Sequence, residues 1–428
     1  MFSGNTAITT FVVDAANTNL KVVDGLLQSY DGSRLLMAPT ARRGVLTMPE
    51  GIKEIGWYAF DDCALLDGIV MPASLTTMEH PAFYGCTALQ FIDLTKCTEL
   101  YSDGWFSDSG IHVDRSNGFG SSLTNSSPFR GLNRKTMVYM LAEGNGYAHS
   151  VEDGEVNVVL GSTATALELT DGYDFVPPTD FTFPSATYDR QLTANVAITP
   201  TGETDEKGEP VYTEGYADAG YTVCLPFAAA MQGDETAAWK VYAPTRVDDV
   251  EGETIVTFTE VVGGQMEAFK PYYVVVSQGA VSLGSTSTEN SVAARQTSGT
   301  TDIEGASYQL VGTTRTISNA DLCNAGKPTY LLQRDGVWHK VPSGVEAAYV
   351  GPFRAYFLAT SAEADARRLT MMFGGSADVN PGSDPSAIRQ LRTVDADGTE
   401  RLFDLSGRRI DANAKGIVIK NGKKQIIK

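Results

Sequence analysis

Four histidines, five cysteines and 52 acidic residues are the raw material for catalysis or metal binding in this 428-residue chain. His80, His112, His149 and His339 fall in no H-E-x-x-H or paired ligand spacing. His80 precedes Pro81 on a turn and reads as exposed; His339 shares a strand face with Val337 and Val341. The cysteines lack a C-x-x-C pair and are odd in number, so the framework of a small disulfide-stapled protein is missing. Cys323 and His339 offer a nucleophile and a base, with no oxyanion motif or third member in sight. There is no G-x-S-x-G elbow, phosphate loop or dinucleotide fingerprint. Acidic side chains are so numerous that spacing alone singles out no carboxylate pair for glycoside hydrolysis. Asp395-x-Asp397-Gly398 opens like a calcium loop but lacks the later Gly and bidentate Glu, so it reads as a hairpin turn. The expectation is a chain with no catalytic residue, metal site or cofactor.

Binding chemistry is better represented. Trp57, Tyr58 and Tyr84 flank two Ala-Phe pairs, Ala59-Phe60 and Ala82-Phe83. Exposed aromatics beside polar groups are the usual anchors of a binding patch, the alternative being rings that only cover a neighbouring turn. Phe269-Lys270-Pro271-Tyr272-Tyr273 is echoed by Phe353-Arg354-Ala355-Tyr356-Phe357, a base set among aromatics. Such a set can form a ring-face platform for a sugar, or simply be an alternating strand with a snorkelling base. With 33 basic against 52 acidic residues the net charge is −19, which disfavours a phosphate backbone or anionic bilayer and favours a neutral or basic partner.

The elements that must position these residues start with a repeat of 23 residues. Met48-Pro49 recurs as Met71-Pro72, Ile52 as Leu75, Ile55 as Met78, Cys63 as Cys86, Leu66 as Leu89 and Ile69 as Ile92. A degraded third copy follows in Leu94, Tyr101, Trp105-Phe106 and Ser109. A period of this length with Leu/Ile spacing reads as a leucine-rich solenoid, whose units bury apolar flanks against their neighbours. Cys63 and Cys86, at equivalent positions, should then stack as small buried hydrophobes; a disulfide is the alternative. Phe2, Asn5, Ile8 and Phe11 fit the same pattern, so the chain is expected to start partway through a unit, with native sequence upstream. Val22 to Thr40 reads as an inserted hairpin, with turns at Asp24-Gly25 and Asp31-Gly32.

Beyond residue 115 the pattern changes. Residues 131–373 alternate short apolar runs with turn signals and predict an all-β region, expected as two β-sandwich-like modules, with the aromatic echo marking two related units. Gly374 to Pro385 reads as a linker. Residues 388–428 carry ten basic and five acidic residues, reversing the charge of the rest, and predict a small β-rich domain with a hairpin turn at Asn421-Gly422. No run approaches the apolar length of a membrane-spanning helix, and residues 1–11 do not read as a signal peptide.

The units VLTMPEGIKEIGWYAFDDCALLDGIVMPASLTTMEHPAFYGCTALQFIDL resemble the BspA-like leucine-rich repeat family. VVDGLLQSYDGSRLLMAP resembles the hairpin inserted between such repeats in proteins of Bacteroides and its relatives. The resemblance covers roughly residues 1–112 and implies secretion, life at the cell surface and, in some members, adhesion. Residues 131–373 resemble a module that follows repeats in surface proteins of the same bacteria. LFDLSGRRIDANAKGIVIKNGKKQIIK resembles the end of a secretion-sorting domain, which implies export across an outer membrane. Together these give an expected extracellular or cell-surface binding protein with an unidentified protein or glycan partner, no nucleic acid and no transmembrane helix. A glycan-acting enzyme or accessory module, and a purely structural surface component, are the alternatives.

Overall fold

The computed structural model describes residues 5–102, 111–115, 127–142, 149–204, 210–250, 252–303, 307–324, 326–333, 336–345 and 347–374, and four strands of the tail. The chain divides into two compact units, 1–374 and 375–428.

Each solenoid unit contributes one rung to each of two strand ladders. In the first, Gly44–Thr47, Leu66–Val70, Phe91–Asp93 and Met137–Met140 run parallel, with Leu46 beside Ile69, Ile69 beside Ile92, and Ile92 beside Val138. In the second, Arg34–Met37, Glu54–Ile55, Thr77–Met78 and Tyr101–Ser102 run parallel. The turn between ladders tucks a phenylalanine inward, so Phe60 stacks on Phe83 and Phe83 on Phe129, at 5.3 and 5.9 Å between centroids. Leu46, Ile55, Phe60, Leu66, Ile69, Leu75, Met78, Phe83, Leu89 and Ile92 belong to one buried core.

Three expectations about the solenoid change. The rung before Leu66–Val70 is Gly44–Thr47, one period upstream, and no strand runs through residues 5–13, where Asn5 is exposed and Ile8 and Phe11 are only half-buried. That segment is instead tied to Thr40, whose hydroxyl donates to the Asn5 carbonyl and accepts from the Ile8 N–H. The hairpin is a three-stranded meander of Leu20–Val23, Leu26–Ser29 and Arg34–Met37 whose last strand is the first rung of the second ladder, so it caps the repeats rather than interrupting them. Asp24 and Gly25, both at positive φ, make its first turn. The third unit is long: Phe129 lies 46 residues after Phe83 and fills the next stacking place. Trp105-Phe106 and Ser109 lie outside the described residues.

The first ladder does not stop at the end of the repeats. Its sheet continues through Val158–Leu160, Thr163–Ala164, Phe181–Phe183 and Asn290–Val292, eight strands in all. The expected break between 115 and 131 therefore has no counterpart in this sheet, because Phe91–Asp93 and Met137–Met140 are hydrogen-bonded across it. One face of the ladder closes the solenoid core, and the other carries Phe91, Met137 and Tyr139 into a second core. Strands buried on both faces have no polar side to alternate. Gly68 makes room for this, since a Cβ there would stand 2.4 Å from the Phe91 ring.

The second core is shared with a four-stranded sheet of Leu167–Leu169, Ala186–Thr193, Ala280–Ser285 and Ala229–Gly233. It also takes one face of a ten-stranded sheet that starts at Ala219–Val223, Tyr272–Gln278, Ala238–Val250 and Glu253–Glu260 and passes by way of Arg368–Gly374 to Trp338–Lys340, Thr329–Leu332, Arg354–Ala359, Tyr308–Thr313 and Ser298–Asp302. The two aromatic echoes occupy matching places: Tyr272–Gln278 is flanked by 219–223 and 238–250, and Arg354–Ala359 by 308–313 and 329–332. Phe269 and Phe353 precede them with φ of 56° and 60°. The related halves thus merge into one sheet instead of standing as two sandwiches. The sheet curls until its first strand meets Arg354–Ala359, where the Ala355 N–H donates to the Thr222 hydroxyl. Its interior holds Tyr273, Phe258, Phe357, Trp338, Tyr330 and Tyr308. The Trp338 and Phe357 rings meet edge-on at 4.7 Å.

In the second unit Leu402–Phe403, Arg409–Ile410, Gly416–Lys420 and Lys423–Ile427 form one antiparallel sheet, with Lys420 opposite Lys423.

Candidate functional site

Around the turns that tuck Phe60 and Phe83 inward, three aromatics stay outside. Trp57 is 61% exposed, and Tyr58 and Tyr84 are each 48% exposed. The repeat places them on adjacent rungs: the Tyr58 N–H donates to the Pro81 carbonyl, and the Asp62 N–H to the Tyr84 carbonyl. Position 57 of one unit corresponds to His80 of the next, and the two rings lie 6.3 Å apart at 56°. His80 is therefore half-buried beside Trp57, not exposed as its turn position predicted. Below them, Arg34 bridges Glu54 and Glu79, and Glu79 accepts from the Trp57 N–H at 2.8 Å. Glu79 is buried, so this polar brace fixes the edge from beneath. Tyr58 holds a φ of 55°, a strained left-handed conformation for a non-glycine residue. The rings thus stand on a firmly held backbone, which limits the ordering cost of binding.

Sequence reasoning did not find a second exposed apolar surface. Asn195–Thr204 and Pro210–Ala217 pair with each other as an arm in a sheet of their own. Val196 and Tyr216 sit opposite one another, and both are exposed together with Ile198 and Tyr212. The period-2 spacing of Val196 and Ile198 was the available signal.

The Cys323 thiol lies 3.9 Å from both the Asn319 amide oxygen and the Pro342 carbonyl. His112 faces Glu152, Nε2 to Oε2 3.2 Å. Among the described residues no group of three or more His, Cys, Asp and Glu is placed to hold a metal ion. Asp395 to Gly398 lie outside the described residues.

All five cysteines are free, and Cys63, Cys86, Cys97 and Cys224 are buried. Burial pushes the Cys63, Cys97 and Cys224 thiols up to about 12, and the Cys86 thiol well above the ordinary range. Thiolate is the reactive form, so native protein at neutral pH should label at Cys323 alone, and all five should label in denaturant. Fast native labelling of Cys63 and Cys86 would overturn the stacked arrangement. The same shifts make stability fall as pH rises beyond about 8.5, because the unfolded chain releases thiol protons that the folded chain keeps.

Two parallel ladders joined by inward-turned phenylalanines make a short leucine-rich-repeat-like region whose turns expose Trp57, Tyr58 and Tyr84. Residues 44–119, less than a fifth of the chain, match the BspA type leucine rich repeat region family. No curated protein and no solved structure matches the chain. No helix among the described residues is long and apolar enough to cross a membrane.

Proposed function

We propose that the protein is a non-catalytic binding protein of an outer cell surface, secreted or anchored there, which recognises a protein or glycan through the solenoid edge. The observation that carries this reading is the placement of Trp57, Tyr58 and Tyr84 on one braced turn edge, exposed while their sequence neighbours are buried. The BspA type repeats support a surface life in Bacteroides or a relative, and the 402–427 sheet supports a sorting or anchoring role for the tail. The acidic bulk favours a neutral or basic partner.

An array of matrix proteins and glycans probed with wild type and with a Trp57→Ala, Tyr84→Ala double variant tests it. Binding by wild type with at least a ~10-fold loss in the variant is expected, since aromatic anchors carry a large share of binding energy. Equal binding by both proteins would move the site off the solenoid. Nothing tighter than ~1 mM for any probe would leave the structural reading standing in place of adhesion.

A further inference from the structure

A cavity of about 640 Å³ opens in the β-region, away from the turn edge. It is lined by Asp171, Arg190, Tyr221, Gln333, Tyr349 and Arg354, among others. Its size falls in the range of small-molecule sites. The echo motif supplies one wall: the left-handed Phe353 redirects the chain so that Arg354 reaches the Asp171 carboxylate.

Two guanidiniums converge on one carboxylate here. Arg354 Nη2 donates to both oxygens of Asp171, at 2.8 and 3.0 Å, and Nη1 donates to the Tyr188 hydroxyl at 2.8 Å. The Tyr188 hydroxyl donates in turn to Asp171 at 2.5 Å. Burial alone would raise the Asp171 carboxyl, but Tyr188, Arg354 and Arg190 outweigh it and hold the group below the usual carboxylate range. Asp171 therefore stays ionised and accepts three hydrogen bonds, two on Oδ1 and one on Oδ2. Arg190 brings a second guanidinium against this one carboxylate. Its Nε stands 3.7 Å from Asp171, too far for a hydrogen bond, and its Nη1 is buried with no hydrogen-bond partner. The ring of Tyr221 supports it, 5.0 Å from the guanidinium carbon. Arg190 thus stands at the cavity wall as the second guanidinium on Asp171, its Nη1 unbonded, with the Asp189 carboxylate held nearby by the Asp171 N–H at 2.7 Å.

Tyr349, 57% exposed, and the exposed Gln333 line the same cavity. A guanidinium takes a carboxylate, an aromatic face takes the C–H face of a pyranose, and an amide takes hydroxyls. We propose that this cavity binds a carboxylate-bearing sugar, a uronic acid unit of a glycan, with Arg190 neutralising the carboxylate and Tyr349 packing on the ring. The residues do not overlap the solenoid edge, so this site and the edge stand or fall separately.

Titration calorimetry of the full chain with oligosaccharides of galacturonic acid, of galactose, and with acetate tests the proposal. The acidic oligosaccharide is expected to bind at least ~10-fold more tightly than the neutral one and than acetate. Arg190→Ala should remove that preference and Tyr349→Ala should weaken binding of the sugar, while circular dichroism shows both variants folded. If either variant fails to fold, the milder Arg190→Gln and Tyr349→Leu take its place. Equal affinity for acidic and neutral sugars, an undiminished preference in folded Arg190→Ala, or acetate binding as tightly as the sugar would overturn it. So would a peptide with a free C-terminal carboxylate binding more tightly than the acidic oligosaccharide.

Discussion

Phe83→Ala is expected to lower stability by about 3–5 kcal/mol, read from urea unfolding of residues 1–374 within the full chain. The ring is fully buried, and it lies nearly parallel to Phe60 and Phe129, with interplanar angles of 11° and 9°. Truncation removes both contacts at once. The hole cannot close easily, because backbone hydrogen bonds set the spacing of the rungs: the Phe60 N–H donates to Ala82, and the Ala82 N–H to Pro128. A loss that depends on how far a site collapses is largest where the surroundings are pinned in this way. Phe129→Ala should show a loss of the same order. A loss below about 1 kcal/mol at Phe83 would mean that the aromatic column does not hold the units together.

Arg115→Met should cost a similar amount, about 3–5 kcal/mol, for an electrostatic reason. The Arg115 side chain is 1% exposed and the Glu155 side chain 7%. The guanidinium donates to the carbonyls of Arg134 at 2.6 Å and Val156 at 3.0 Å, and its Nε lies 3.5 Å from Glu155. Burial drives the guanidinium down to about 10, with Glu155 pulling it back up, so the group keeps its charge at neutral pH. Methionine can fill much of the volume, but it removes the countercharge of the buried Glu155 carboxylate, which keeps only the backbone N–H of residue 115, and the donor to the Val156 carbonyl, while the Arg134 carbonyl keeps the Asn157 amide. Adding Glu155→Gln to Arg115→Met should recover part of the loss, and the double-mutant cycle measures the coupling. A single variant within 1 kcal/mol of wild type would show that the ion pair is dispensable.

Legibility in the sequence followed burial pattern. The repeat was readable because Ile52, Ile55, Phe60, Leu66 and Ile69 each have a counterpart 23 residues on, and a stacked column tolerates little variation in its apolar places. Strands such as Tyr272–Gln278 and Arg354–Ala359 were readable because aromatic and β-branched residues concentrate in them. Ala186–Thr193, Ala229–Gly233 and Ala280–Ser285 were missed. Their sequences mix strand formers with Ala, Gly, Asp and Gln, which dilutes the local signal, and they become strands through pairing with distant partners. The continuous sheet was hidden for a related reason. Phe91, Met137 and Tyr139 look like ordinary strand residues, and nothing local says that the face they occupy closes onto a second core.

The cavity was half legible. The basic-aromatic echo drew attention to Arg354, but Asp171 lies 183 residues away and Arg190 sits on a strand that the pattern did not reveal. Lys270, the counterpart in the first half, has a different fate: it pairs with Glu267 at 2.7 Å beside the Tyr272 ring. Related backbones therefore do not make equivalent sites.

The unbroken eight-stranded sheet turns the repeats into a ruler. Each copy adds one parallel strand, and neighbouring strands lie about 4.8 Å apart with a small right-handed twist. Gaining or losing one 23-residue copy would move the Leu20–Met37 meander by one such step relative to the β-region and rotate it slightly, because the continuous sheet carries the step across. The distance and angle between the aromatic turn edge and the Arg190 cavity are thus written in the number of repeats, and relatives differing by one copy would present the same two surfaces at different spacings.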